Sequence, residues 1–222
     1  MIITIDGPIA TGKSTIAKKL AGRLGFIHFD TGAMYRCLTY AILKNKVDLT
    51  ELKQFLHFLE IFFFDIQVIE GEKHYFVEGE DITVPIRGQA VTKLVSKVAA
   101  FPQVRERLVL LQREWAQGVN AVFEGRDLGT VVFPNADVKI FLTGGIEVRA
   151  QRRLDEFKEK YPHEAQSLDL DKMKADIERR DEEDSTRLIS PLKCAEDAHL
   201  IDTSDLTADQ VVEAILFFVK RQ

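Results

Sequence analysis

Cysteine is scarce: Cys37 and Cys194 are the only two among 222 residues. Without metal-ligand spacing or a paired framework, they exclude a disulfide-built scaffold. They imply reduced thiols in a cytoplasmic protein. A basic excess is missing as well. The 30 Lys and Arg are outnumbered by 35 Asp and Glu, for a net charge of -5. A nucleic-acid partner is therefore not expected, and any anion site must come from local clustering of Arg and Lys. Long hydrophobic runs are absent too. The most apolar stretch, Phe55 to Val68, is broken by His57, Glu60 and Asp65, whereas a membrane span needs about 20 mostly apolar residues. The opening Met1-Ile2-Ile3-Thr4-Ile5-Asp6 lacks the basic region of a signal peptide. No membrane association is expected, and the chain is expected to be a monomer.

What remains is an ordinary globular composition, 45% hydrophobic and 29% charged. Ile2 to Ile5 reads as a strand ending in the turn Asp6-Gly7-Pro8. From Ser14 to Leu24 the apolar residues Ile16, Ala17, Leu20, Ala21 and Leu24 fall at helical spacing, closed by Gly25. Phe26 to Phe29 predicts a second strand, and Asp30-Thr31-Gly32 opens a helix through Leu43. This is the beginning of a parallel α/β sheet with helical crossovers. Ile61 to Ile69 and His74 to Val77 then read as antiparallel strands around Gly71-Glu72, with two short helical stretches up to Ala100. Parallel strands resume at Ala121 to Phe123, Val138 to Leu142 and His199 to Ile201, and Ala208 to Arg221 reads as a final helix. The expected organisation is a core of residues 1–59 and 100–222, interrupted by an insert at about 60–99.

The sharpest motif is Gly7-Pro8-Ile9-Ala10-Thr11-Gly12-Lys13-Ser14, followed by Thr15. It matches G-x-x-x-x-G-K-[ST] between a predicted strand and a predicted helix, the context such a motif requires. Its glycines let successive N–H groups point at phosphate oxygens, and the helix adds its positive N-terminal end. Lys13 is expected at the β- and γ-phosphates of ATP, and the Ser14 hydroxyl on Mg²⁺.

A phosphate loop alone leaves GTPases, motor ATPases, transporters and kinases open. Asn45-Lys46-Val47-Asp48 spells the guanine-reading N-K-x-D. However, it ends the second predicted helix instead of following a late strand, and no Gly has an Asp three residues before it. The segment is read as a helix-ending turn. The positive signal is arginine. Arg36 follows the Asp30-Thr31-Gly32 turn, and Arg126-Asp127 follow a strand at the carboxyl end of the sheet, where ligands bind in open α/β folds. Arg149, Arg152 and Arg153 share one helix. Arg180, Asp184 and Arg187, at i, i+4 and i+7, are expected on one face of another. Singly, each is a solvated charged face; beside a phosphate loop, together they predict a site for a second anionic ligand. Bringing a phosphorylated acceptor to ATP sets several negative charges within a few Å, and Arg, Lys and Mg²⁺ must offset their repulsion.

Several segments then resemble the bacterial cytidylate kinases, in order and along nearly the whole chain. They are Ile3 to Pro8 with the phosphate loop, Asp30-Thr31-Gly32-Ala33-Met34-Tyr35-Arg36, and Val98 to Arg105. Two more follow: Glu124-Gly125-Arg126-Asp127-Leu128-Gly129-Thr130 running on to Pro134, and Arg180 to Arg187. The resemblance implies the nucleoside-monophosphate kinase fold: a parallel five-stranded sheet flanked by helices, an enlarged α+β monophosphate-binding insert, and a helical lid within about 149–187. It implies ATP as donor, Mg²⁺ as cofactor, and CMP or dCMP as acceptor. Arg36 and Arg126 would then hold the acceptor phosphate with Arg187 close by. Thr31, Arg105, Asp127 and Arg187 would face cytosine, and Ser96, Arg180 and Asp184 would reach the sugar. Arg149 and Arg153 would stand near the transferring phosphoryl group. Two departures from relatives are Ile9, where a small residue is common, and Thr31, which keeps the hydroxyl of a more usual Ser.

The chemistry expected of such a site is positioning and charge stabilisation. A monophosphate carries about −1.5 to −2 charge near pH 7, so its oxygen is already a nucleophile and no general base is needed. The rivals are a kinase for UMP, AMP or shikimate, and a non-catalytic module that uses ATP as a switch.

Overall fold

In the computed structural model, residues 1–160 and 169–221 are described. Two compact units are present: Met1–Asp30 with Trp115–Gln222, and Thr31–Glu114.

The first unit is built on five parallel strands. These are β1 (Ile2–Asp6), β2 (Ile27–Asp30), β6 (Ala121–Glu124), β7 (Val138–Thr143) and β8 (His199–Asp202), in the order β2-β6-β1-β7-β8. β1 is central, pairing Ile3 with Val122 on one side and with Val138 on the other. A strand covered on both faces can be apolar at every position, and Ile3 and Ile5 are fully buried. Chain connections depart in opposite directions around β1. Its carboxyl end, where the phosphate loop begins, is therefore the crevice at which open α/β sheets bind ligands. Helix α1 (Lys13–Leu24) buries Ile16, Ala17, Leu20 and Ala21 and stops at Gly25, whose left-handed φ of 68° returns its N–H to Ala21. Helix α8 (Ala208–Val219) adds Val211, Val212, Ile215 and Leu216 to the same core. Helices α6 (Ile146–Lys160) and α7 (Leu170–Thr186) pack on each other through Ala150, Leu154, Met173 and Ile177. Of the expected lid range 149–187, residues 161–168 lie outside the described residues.

The second unit holds helix α2 (Thr31–Lys44), helix α3 (Leu52–Ile61) and an antiparallel sheet. The sheet strands are β3 (Asp65–Ile69), β4 (Glu72–Val77) and β5 (Glu80–Asp81), in that order. A 3₁₀ turn at Pro85–Arg87 leads into α4 (Gln89–Ala99) and α5 (Pro102–Trp115). This unit is wider than the expected insert at 60–99. α2 packs against α4, the 3₁₀ turn and β4, and Arg36 of α2 donates to the Ile86 carbonyl and to Thr92 Oγ1 at 3.0 and 2.9 Å.

The strand expected over Ile61 to Ile69 needs correction. Phe55 and Leu59, four residues apart, are buried on α3; only Phe62 and Phe64 alternate, and pairing begins at Asp65. An apolar run with both spacings cannot be assigned from periodicity alone. The hairpin turns are two-residue loops, Glu70-Gly71 and Glu78-Gly79, with φ positive at both residues of each. That conformation matches the twist of the flanking strands. The second loop supports β5, which the sequence reading missed. Asn45 to Asp48 does end a helix. The Val47 N–H reaches the Ile42 carbonyl and the Lys46 N–H the Leu43 carbonyl, a Schellman closure with Lys46 at φ 51°.

Candidate active site

The strand-to-helix loop over residues 7–14 has the backbone an anion cradle needs. Gly7 sits at φ 148°, and a Cβ there would fall 2.2 Å from the Leu142 carbonyl oxygen of β7. The loop therefore crosses the sheet where no side chain fits. Ala10 and Gly12 are left-handed at φ 63° and 87°, so peptide N–H groups turn toward one side. Gly12 precedes α1 and has no side chain to satisfy the helix's first N–H groups, which are thereby kept for an anion. Ile9, the unusually large loop residue, packs against the apolar cluster of α6 and α7. Its N–H donates to Asp181 Oδ1 at 3.2 Å, and its carbonyl accepts from Arg149 at 3.1 Å. Arg149 also donates to Asp181 Oδ2. Asp181, quoted in the sequence only as part of a motif, thus clasps the phosphate loop to both helices.

Lys13 curls over the loop, its Nζ donating to the Pro8 carbonyl at 2.6 Å and lying 3.4 Å from Thr11 Oγ1. Burial brings its pKa down to about 7, and Arg126 adds to the fall, while Glu124, Asp184 and Asp6 oppose it. An ammonium held this close to neutrality regains its charge when a polyanion arrives. The Ser14 hydroxyl donates to Glu124 Oε2 at 2.6 Å, and His28 Nε2 lies 3.0 Å from the other carboxylate oxygen. Glu124, buried at the end of β6, was quoted in the sequence only as part of a motif. Its place at the carboxyl end of a parallel strand was the available signal. The donor set suits Mg²⁺, which takes few protein ligands and keeps waters and substrate phosphates. It offers one hydroxyl beside one carboxylate, and among the described residues no group of three or more His, Cys, Asp or Glu forms a closed metal cage.

Beyond β6, Arg126 and Asp127 do not pair with each other. Arg126 Nε donates to Asp184 Oδ2 at 2.8 Å, while Arg187 lies 3.6 Å from Asp127 and 3.5 Å from Asp184. The expected helical trio is corrected in one respect: α7 stops at Thr186, and Arg187 is extended at φ −59°, ψ 140°. It joins Asp184 and Asp127 from the helix end, where Nε also donates to the Ser190 carbonyl. Arg180 and Arg153 are held by Asp176 and Glu156 on their own helices. Burial lowers the Arg180 pKa, and the nearby positive charges of Arg153 and Arg179 add to it. Arg152 is a structural residue, donating to the Thr203 hydroxyl and carbonyl after β8. Thr31, Arg36, Ser96 and Arg105 belong to the second unit. Thr31 is buried at the start of α2, Ser96 is half-buried on α4, and Arg105 is buried on α5 with its guanidinium 5.5 Å from the Tyr35 ring centre.

A further carboxylate lies deeper. Asp6, buried at the end of β1, accepts the Leu128 N–H at 3.0 Å and the Gly129 N–H at 2.7 Å. These N–H groups open a π-helical turn, Leu128–Val132. Burial pushes the Asp6 pKa up to about 6, against the lowering effect of both N–H groups.

A phosphate cradle at the switch point of a five-stranded parallel sheet, walled by arginines from two helices, defines a P-loop kinase. The fold agrees with solved structures. Shikimate kinase from Bacteroides thetaiotaomicron superposes with a TM-score of 0.51 at 15% identity, covering 99% of this chain and 98% of that one. The chain belongs to the cytidylate kinase family, whose model matches residues 3–221. It is 61% identical to a cytidylate kinase of Protochlamydia amoebophila over 97% of this chain and 95% of that protein. It is also 43% identical to one of Lactobacillus johnsonii over 100% and 95%.

Proposed function

We propose that this chain moves the γ-phosphoryl group of ATP to CMP or dCMP, giving ADP and CDP or dCDP, with the residues described above as its machinery. The observation that carries the reading is the pairing of a phosphate loop with the interlocked Arg126, Asp127, Asp184 and Arg187. The chain is an ATP-dependent cytidylate kinase. Residues 7–15 bind the donor: backbone N–H groups of the loop and Lys13 hold its phosphates. Ser14 and the neighbouring Glu124 would hold Mg²⁺, which would supply charge neutralisation on the donor phosphates.

The acceptor's own phosphate oxygen is the nucleophile, so the protein's part is to align it and offset charge. Arg126, Arg149, Arg153 and Arg187 serve the transferring group, and Arg36 and Arg126 the acceptor phosphate. Asp127 accepts from the cytosine amino group, while Arg105 and Arg187 donate to N3 or O2, with Thr31 alongside. Ser96, Arg180 and Asp184 bind the sugar. Uracil presents an acceptor where cytosine presents a donor, and leaving buried polar groups mispaired gives large discrimination. Lys13's suppressed charge fits a site that waits for its anion. Residues 60–99 serve as the monophosphate-binding insert within the second unit, and the described parts of 149–187 as the lid. The working form is a cytoplasmic monomer; the thiols of Cys37 and Cys194 are compatible with a reducing compartment.

ADP release measured over CMP, dCMP, UMP, AMP and shikimate tests this reading. CMP or dCMP should turn over fastest, and Asp127→Asn should lower the CMP-to-UMP ratio. Faster turnover of UMP, AMP or shikimate would overturn the acceptor assignment. An unchanged ratio in the variant would overturn the role of Asp127.

A further inference from the structure

The segment that carries Arg126 and Asp127 is anchored at both ends by β1. Before it, the Gly125 N–H donates to the Ile5 carbonyl at 3.0 Å. After it, the Leu128 and Gly129 N–H groups converge on the two oxygens of the Asp6 carboxylate. Arg126 and Asp127 are thus the two residues strung between adjacent attachments. The second attachment comes from a side chain, where a neighbouring strand would ordinarily supply carbonyls. It is needed because the chain leaves the sheet here and turns at once into the π-helical turn, whose first N–H groups have no partner within the turn. The turn is closed on its far side by the Asp127 carbonyl, which accepts from Val131 at 2.9 Å and Val132 at 3.2 Å.

We infer that Asp6 is a positioning residue for the acceptor nucleotide: its buried carboxylate, bridging the Leu128 and Gly129 N–H groups, fixes the backbone from which Arg126 and Asp127 project. Asp6 touches no substrate in this proposal and acts only through that backbone. The fit around it is close. A Cβ on Gly129 would lie 3.4 Å from Asp6 Oδ2 and 3.2 Å from the Lys139 side chain, so a methyl group there crowds the carboxylate and forces its neighbours to give by a few tenths of an ångström. Lys139 is itself anchored, donating to the Pro134 carbonyl and to Asp197. The chemistry demands a carboxylate in particular. An Asn at position 6 has one oxygen and one NH₂, so it would set a donor against one of the two N–H groups.

The inference rests on the assignment of Arg126 and Asp127 to the acceptor. Its test is the steady-state kinetics of the full chain carrying Asp6→Asn or, separately, Gly129→Ala, with each substrate varied in turn. Losing one hydrogen bond to a charged group should raise KM for CMP about tenfold, with KM for ATP within about twofold and the CMP-to-UMP ratio reduced. A purely structural role would shift both KM values together, or neither, and either result would overturn the proposal. Should Asp6→Asn fail to fold, Gly129→Ala crowds the same contact from the turn's end, and its KM split decides the matter. If the wild-type chain preferred another acceptor, the functional reading would fall, and the same split measured with that acceptor would still decide for or against Asp6.

Discussion

Lys13 is the residue on which the donor half of the proposed site turns. Its Nζ rests on the Pro8 carbonyl, and burial, with Arg126 adding to it, has brought its pKa down to about 7. In the proposed reaction it would regain its full charge as the donor phosphates arrive. Lys13→Ala should lower turnover by about 10² or more, by analogy with removal of one transition-state donor. A near-normal kcat in a steady-state assay would show that the loop is not catalytic. The arginines follow a different logic. Arg126, Arg149 and Arg187 all have carboxylate partners, which keeps them oriented. Fixed dipoles and charges stabilise a transition state without reorganising when the reaction occurs.

At the scale of elements, the clasp between the phosphate loop and the α6–α7 pair stands out. Asp181 of α7 accepts from the Ile9 N–H and from Arg149 of α6, while the Ile9 side chain packs into the cluster those helices share. The helices and the loop are one mechanical piece at this point. Asp181→Ala should raise KM for ATP about tenfold through loss of hydrogen bonds to a charged group, with a smaller effect on KM for CMP. Equal effects on both substrates, measured with each varied in turn, would argue against a clasp specific to the donor loop. Much of this level was legible in the sequence. The five parallel strands and helices α1, α2 and α8 came from apolar runs and 3.6-residue spacing, signals that buried parallel strands and amphipathic helices carry in themselves. The region from 52 to 81 was not legible to the same degree. There Phe55 and Leu59 follow the helical period and Phe62 and Phe64 the strand period within ten residues, and β5 is only two residues long.

Stability belongs to the whole molecule, and Asp6 ties it to pH. Its pKa is raised from 3.8 to about 6, so the native state holds this proton more firmly than the unfolded chain. The stabilisation is fully present below about pH 4 and lost as pH rises through about 6. At about 1.4 kcal/mol per unit, the ionised carboxylate costs the fold roughly 3 kcal/mol at neutral pH. Asp6→Asn removes this titration. Relative to the variant, the wild type should therefore lose up to roughly 3 kcal/mol in urea unfolding between pH 4 and pH 7. A constant difference would refute the assignment. Keeping a buried charge at such a cost is what a functional position looks like when stability and activity compete. By itself, the sequence determined the sheet, the phosphate loop between its strand and helix, and the residue types of the proposed second anion site. All of these are written in short-range periodicity and motif. Only the tertiary structure decided which charge meets which. Ser14 finds Glu124 across 110 positions, Asp6 finds Leu128 across 122, and Ile9 finds Asp181 across 172. A carboxylate carries no address along the chain, because its partner is chosen by strand order and helix packing, which bring distant segments to the same end of the sheet.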